Sequence, residues 1–157
     1  MRRFVPISSK PAKRTLFLTK TAMKDIDDPN SATNLLCGTG YILAALTLWT
    51  RGDLIWAHHG KGEFLKRLNP PPPEIWEIRV TAPRPQARLF CRFAKPDTLI
   101  VTKFHTRDFL KDKGSQNWNS ALAQCKNQWE ELFPDSEPFT AERVCEYITE
   151  NCHDFRI

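Results

Sequence analysis

Paired cysteines are the first thing this chain lacks. Cys37, Cys91, Cys125, Cys145 and Cys152 are odd in number, widely spaced and form no C-x-x-C pair. That excludes a disulfide framework and leaves free thiols, mostly core, in a reducing compartment. A structural metal site is not expected either, because Cys145, Cys152 and His153 have no fourth ligand near them. The opening MRRFVPISSKPAKR has the charges of a leader but no apolar run behind them, so no secretory signal is read there. Residues 29 to 50 carry no charge, yet Asn30, Ser31, Thr33, Asn34, Gly38, Thr39 and Gly40 make them a poor membrane span. A buried helix, in a soluble cytoplasmic protein, is the expectation. Internal repeats are missing, and NPPPPE at 69 to 74 is the single low-complexity stretch. Basic residues are scarce after position 128, where Arg143 and Arg156 face eight acids.

What is present suits one domain with an appendage: 157 residues, 41% of them hydrophobic. The net charge of +5 divides into −6 after residue 128 and +11 before it. So basic a body attracts phosphate, most simply nucleic acid, although soluble surfaces also carry such charge.

RTLFLTK at 14 to 20 reads as a first strand behind a basic arm, and TAMKDIDD as a short helix stopped before Pro29. A longer helix is expected from about Ser31 to Thr50, with Leu35, Ile42, Leu46 and Trp49 on one face and Arg51-Gly52-Asp53 ending it. Leu54 to Leu68, with His58 and His59, reads as loop or a further short helix, and the prolines as a stiff connector. Three strands follow in an antiparallel meander with hairpin turns APRP and AKPD. In EIWEIRV, Trp76, Ile78 and Val80 oppose Glu77 and Arg79; in QARLFCRF, Ala87, Leu89, Cys91 and Phe93 oppose Arg88, Phe90 and Arg92. Strict alternation through TLIVTKFH puts Leu99, Val101, Lys103 and His105 on one face. Then comes an amphipathic helix with Trp118, Leu122, Cys125, Trp129 and Leu132 on its stripe, and a last helix capped by Thr140 carrying Val144, Tyr147, Ile148 and Cys152. The order is α+β.

If Arg79, Arg88 and Arg92 line the face opposite the core, they form a cationic row around Phe90, giving charge for phosphate and a flat ring for a base. The open face of a half-buried sheet is polar in any case. His105, with an ordinary pKa near 6.5, is expected to accept and donate protons at neutral pH. Lys103, Arg107 and Asp108 surround it in sequence. Whether Lys103 and His105 join the arginines depends on how their strand turns.

IWEIRV, PQARLFCRF and DTLIVTKFHTRD, followed by SALAQCKNQWEELF, resemble the RelE/HigB superfamily of toxin–antitoxin systems, in its phage-derived HigB-like branch. FLKRLNPPPPEIWEIRV and LFLTKTAMKDI are similar to the family's approach to the sheet and its opening strand and helix, so the likeness spans about residues 14 to 133. It implies a small α+β fold, with an N-terminal strand and helices on an antiparallel sheet plus C-terminal helices. It also implies a ribosome-directed mRNA endoribonuclease without metal or other cofactor, neutralised by an antitoxin and needing no membrane. The 2′-hydroxyl attacks the adjacent phosphate, leaving a cyclic phosphate and a 5′-hydroxyl. By position, Arg79 and Arg88 match residues that hold and polarise phosphate, Arg92 matches the arginine of the second strand, and Lys103 and His105 match the proton-transfer position. Phe90, Arg84, Arg107, Lys66 and Arg67 are the expected RNA contacts. Many relatives have a tyrosine several residues after the histidine; here Leu110 stands there, and Tyr41 and Tyr147 are the two tyrosines. Non-catalytic alternatives are a gyrase inhibitor or phage host-factor binder on the same scaffold, or a plain RNA-binding module. Residues 1 to 133 form the expected domain; 134 to 157, an acidic helical extension, are expected to fold over the cationic face as a nucleic-acid mimic.

Overall fold

A computed structural model describes residues 1–6, 11–31, 38–57, 63–68, 74–82 and 84–154. His58 and His59, Cys37, Lys10, Pro83, Arg156 and the prolines of the connector lie outside these. In chain order the elements are β1 (Arg2–Arg3), β2 (Thr15–Leu18), α1 (Lys20–Asp27), α2 (Thr39–Arg51), β3 (Ile55–Ala57), β4 (Leu65–Leu68), β5 (Ile75–Val80), β6 (Ala87–Lys95), β7 (Thr98–Thr106), α3 (Arg107–Leu110), α4 (Gln116–Leu132), α5 (Val144–Tyr147) and β8 (Cys152–Asp154).

The fold is α+β, as expected, but the sheet is neither small nor purely antiparallel. Among the described residues it has eight strands, in the order β1-β2-β7-β6-β5-β4-β3-β8. The β5–β6–β7 meander is antiparallel, whereas β2 lies parallel to β7, and β3 lies parallel to both β4 and β8. Parallel neighbours need a crossover, and α1 and α2 supply it between β2 and the meander. Among the described residues no helix is long and apolar enough to cross a membrane.

Local chemistry sets the helix ends. The Thr19 hydroxyl caps α1 by accepting from Ala22 N–H at 3.2 Å, and Asp28 turns extended before Pro29. Helix α2 stops at Gly52, whose φ of 69° is the left-handed cap that glycine adopts without strain. Residues 32 to 37 of the expected longer helix lie outside the described residues. Ser115 caps α4 through Trp118 N–H at 3.1 Å. Of the predicted stripe, Trp118, Cys125 and Trp129 are buried and Leu122 is partly so, while Leu132 stands in solvent.

Two cores sandwich the sheet. On one side, Ile42, Leu46 and Trp49 of α2 and Ala22 of α1 pack on Leu16, Trp76, Ile78, Leu89, Cys91, Phe93, Leu99 and Val101. On the other, Trp118, Ala121 and Cys125 of α4 cover Phe90, Ile75, Leu68 and Leu110. The face expected to be open is therefore roofed by α4, because that helix's apolar stripe has to be buried against something.

Three further expectations are corrected. The stretch from Leu54 to Leu68 contains strands β3 and β4, too short for alternation to reveal and stabilised by neighbours in the sheet. The last helix is one turn, begun at Arg143 instead of Thr140, and it gives way to β8, which pairs with β3. The tail is also no separate flap over the cationic face. Val144, Tyr147 and Ile148 are buried in the α2-side core, and Phe139 N–H donates to Phe93 O at 2.8 Å. Asp97 N–H donates to Tyr147 O at 2.9 Å, and buried Arg14 donates to Asn151 O at 3.2 Å.

Candidate functional site

The strand register decides which charged residues meet. Lys66 pairs with Glu77, Glu77 with Phe90, and Arg79 with Arg88, so these side chains share the α4-side face. Strict alternation would send Lys103 and His105 to the opposite core with Leu99 and Val101. The ladder slips by one residue instead: Cys91 pairs with Val101 but Phe90 with Lys103, leaving Thr102 as the extra residue of a bulge. The bulge is anchored, since the Thr102 hydroxyl donates to Phe90 O at 3.1 Å and Thr102 O accepts from the Thr19 hydroxyl at 2.8 Å. From there on the faces are exchanged. His105 stands opposite Arg88 and Lys103 opposite Phe90, on the face of the arginines.

Glu77 is the hub of this cluster. Its carboxylate lies 3.5 Å from Arg79 and 3.6 Å from Arg88, and Arg79 also reaches Glu63 at 3.5 Å. Arg88 completes its bonding with Ala87 O at 2.9 Å and the Gln86 side-chain oxygen at 3.0 Å. Burial raises the pKa of Glu77, against the pull of Arg88 and Arg79, and raises that of Glu63 likewise. Arg88 itself is 3% exposed.

His105 lies deeper than a strand-end residue should. It is 7% exposed, between Phe90 at 5.6 Å and Phe109, whose ring is parallel within 8° at 5.5 Å. Its Nε2 is buried without a hydrogen-bond partner among the described residues. Burial, helped by the nearby Lys103 charge, lowers its pKa to about 4. At neutral pH it is thus an uncharged imidazole, which can accept a proton and becomes a donor only after accepting one.

That burial predicts a pH dependence. The unfolded imidazole takes up a proton near pH 6.5 and the folded one only near 4, so the His105 contribution is fully present above pH 6.5 and is lost as pH falls toward 4. The loss amounts to about 3 kcal/mol. Glu63 and Glu77 act in the opposite sense, so the quantity to measure is a difference. The urea stability of wild type relative to His105→Phe is expected to drop between pH 7 and 4, and a constant gap would show that the imidazole is not held neutral.

The other expected site residues fall into two groups. Lys103 is partly exposed and pairs with Asp25 at 3.3 Å; Lys66 and Arg79 sit at the rim. Arg84 and Arg107 line an open cleft of about 570 Å³ with Pro85, Gln86 and Asp108. Arg67, Phe90 and Arg92 do not join them. Phe90 is fully buried beneath Trp118, so it has no face for a base. Arg92 stacks on Trp129 at 5.4 Å and donates to Glu74 O at 3.1 Å. Arg67 is paired with Glu74 at 2.6 Å on the other core's side, against Tyr147. The residue that sequence reasoning passed over is Phe109. It lies on α3, four positions after His105 on β7, and the turn from strand to helix at Thr106 brings the two rings together, which alternation along the strand does not show.

Among the described residues no three His, Cys, Asp or Glu side chains come together as metal ligands. No protein-family model matches the chain, and neither does any curated protein or solved structure.

Proposed function

We propose that this chain is a RelE/HigB-like toxin that binds mRNA, on the ribosome, and cleaves it without metal, and that an antitoxin protein covers the same cationic face. The observation that carries the reading is the convergence, through the Thr102 bulge, of Arg79, Arg88, Lys103 and His105 on one sheet face. Strand β2 lying parallel beside β7, the last strand of the meander, with α1 and α2 in the connection, supports it further. In this reading the rim cations attract the RNA backbone. Arg79 and Arg88 stabilise the charge that builds on the phosphoryl oxygens as the 2′-hydroxyl attacks phosphorus, neutral His105 accepts the hydroxyl proton, and as the P–O5′ bond breaks the departing 5′-oxygen takes a proton from water.

Induced expression tests this. Wild type is expected to arrest growth and leave new mRNA 5′-hydroxyl ends. His105→Gln and Arg88→Lys, checked for an intact melting transition, are expected to reduce those cuts about 100-fold or more. Cuts that persist in both folded variants would sink the catalytic assignment.

A second reading is a non-catalytic protein on the same scaffold, a gyrase inhibitor or host-factor binder. The burial of His105 under Phe109 and of Arg88 against Glu77 favours it, as does Leu110 in the place of a tyrosine. Arrest with filamentation and uncut mRNA is its signature.

A further inference from the structure

We propose that Phe109 is the nucleobase platform of this face, stacking an unpaired base of single-stranded RNA while the surrounding cations hold its phosphates. The inference rests on RNA being the ligand, as above, but not on cleavage. Phe90, the ring expected to do this, is buried; Phe109 is 51% exposed.

Its exposure is enforced. Phe109 N–H donates to the Thr106 hydroxyl at 3.1 Å, and its carbonyl accepts from the Asn117 side-chain amide at 2.7 Å. The next residue, Leu110, is fully buried under α4, and its carbonyl accepts from the Ser115 hydroxyl at 2.7 Å. One turn of chain is pinned at both ends with a ring held out from it. That ring already forms a parallel stack with His105, and the imidazole beneath, uncharged at neutral pH, behaves as a second flat aromatic layer. A third flat ring extends such a stack favourably.

The surroundings select the ligand class. From 103 to 114 the chain carries Lys103, Arg107, Lys111 and Lys113 against Asp108 and Asp112, and residues 108, 111, 112 and 113 are all exposed. A lipid surface, or a protein docked through apolar contact, would need a contiguous apolar patch, and Phe109 is a single ring among charges. A ligand with a flat apolar face and an anionic backbone fits it, and single-stranded RNA has both.

The test is a binding cycle on the full chain, with a short single-stranded RNA and its abasic counterpart as probes. Phe109→Ala and Phe109→Leu are each expected to weaken the base-containing RNA about tenfold, and Phe109→Trp to keep it. All four proteins are expected to bind the abasic RNA alike. Melting temperatures verify folding, which truncation of an exposed ring leaves intact. Leucine binding as tightly as phenylalanine, or an equal loss on abasic RNA, overturns the platform. If wild type binds RNA and Phe109→Ala binds it equally well, the platform fails while the RNA reading stands. If wild type holds no RNA at low salt, both fall together.

Discussion

A chain ending at Phe133 is expected to show no cooperative thermal unfolding, because the acidic tail is part of the main core. Tyr147 is fully buried, with ring contacts to Trp76 at 4.9 Å, Phe93 at 5.0 Å and Phe139 at 5.3 Å. Its hydroxyl donates to Glu74 at 2.8 Å and accepts from Ala141 N–H at 2.7 Å. Val144 and Ile148 are buried beside it, and β8 closes one edge of the sheet on β3. Tyr147→Ala alone removes about 3–5 kcal/mol, the usual cost of deleting a large core aromatic, and Tyr147→Phe about 1–3 kcal/mol, for the donor that Glu74 then lacks. Urea titrations measure both through a lower midpoint at constant slope. The opposite outcome is specific: a tail-less chain that melts as wild type and binds RNA more tightly would mean that residues 134 to 157 are a detachable acidic cover after all.

Glu74 is the second position where a large effect is expected. Its carboxylate takes the Arg67 guanidinium at 2.6 Å, the Trp76 indole N–H at 2.9 Å and the Tyr147 hydroxyl, all away from water. Arg67, 5% exposed, has its guanidinium over the rings of Trp76 and Tyr147. Glu74→Leu leaves that cation buried and unpaired, at a cost of about 3–5 kcal/mol. Glu74→Gln, which keeps an acceptor of the same shape, costs less. Adding Arg67→Met to Glu74→Leu is expected to restore part of the loss, since the stranded charge goes with it, so the double variant falls short of the sum of the singles. Strict additivity would show that the two residues do not act as a pair.

Both predictions concern residues whose roles were hidden in the sequence. Arg67 reads there as one more surface cation beside Lys66, and the tail as an appendage, because acidic composition says nothing about where Tyr147 points. The meander was legible, since Trp76, Ile78 and Val80 alternate with Glu77 and Arg79 and the turns are proline-rich. The α4 stripe was legible for the same kind of reason. β3, β4 and β8 were not: three or four residues show no period, and such strands exist through partners remote in the chain.

The candidate site divides along the same line. The residue types were readable: arginines on alternate positions, a histidine at the end of the third strand, and cations around it. Their meeting was not. Alternation assumes an unbroken ladder, and one extra residue at Thr102 exchanges the faces of everything after it. The roof over the arginines was equally invisible, because burial is set by which surface α4 covers. So the sequence by itself determined the α+β class, the meander, the stops of α1 and α2 and the basic character of the first 128 residues, all properties of near neighbours along the chain. Tertiary structure alone decided that His105 faces Arg88, that it is held neutral beneath Phe109, and that the tail completes the core. Those depend on register and packing between segments far apart, which no local pattern encodes.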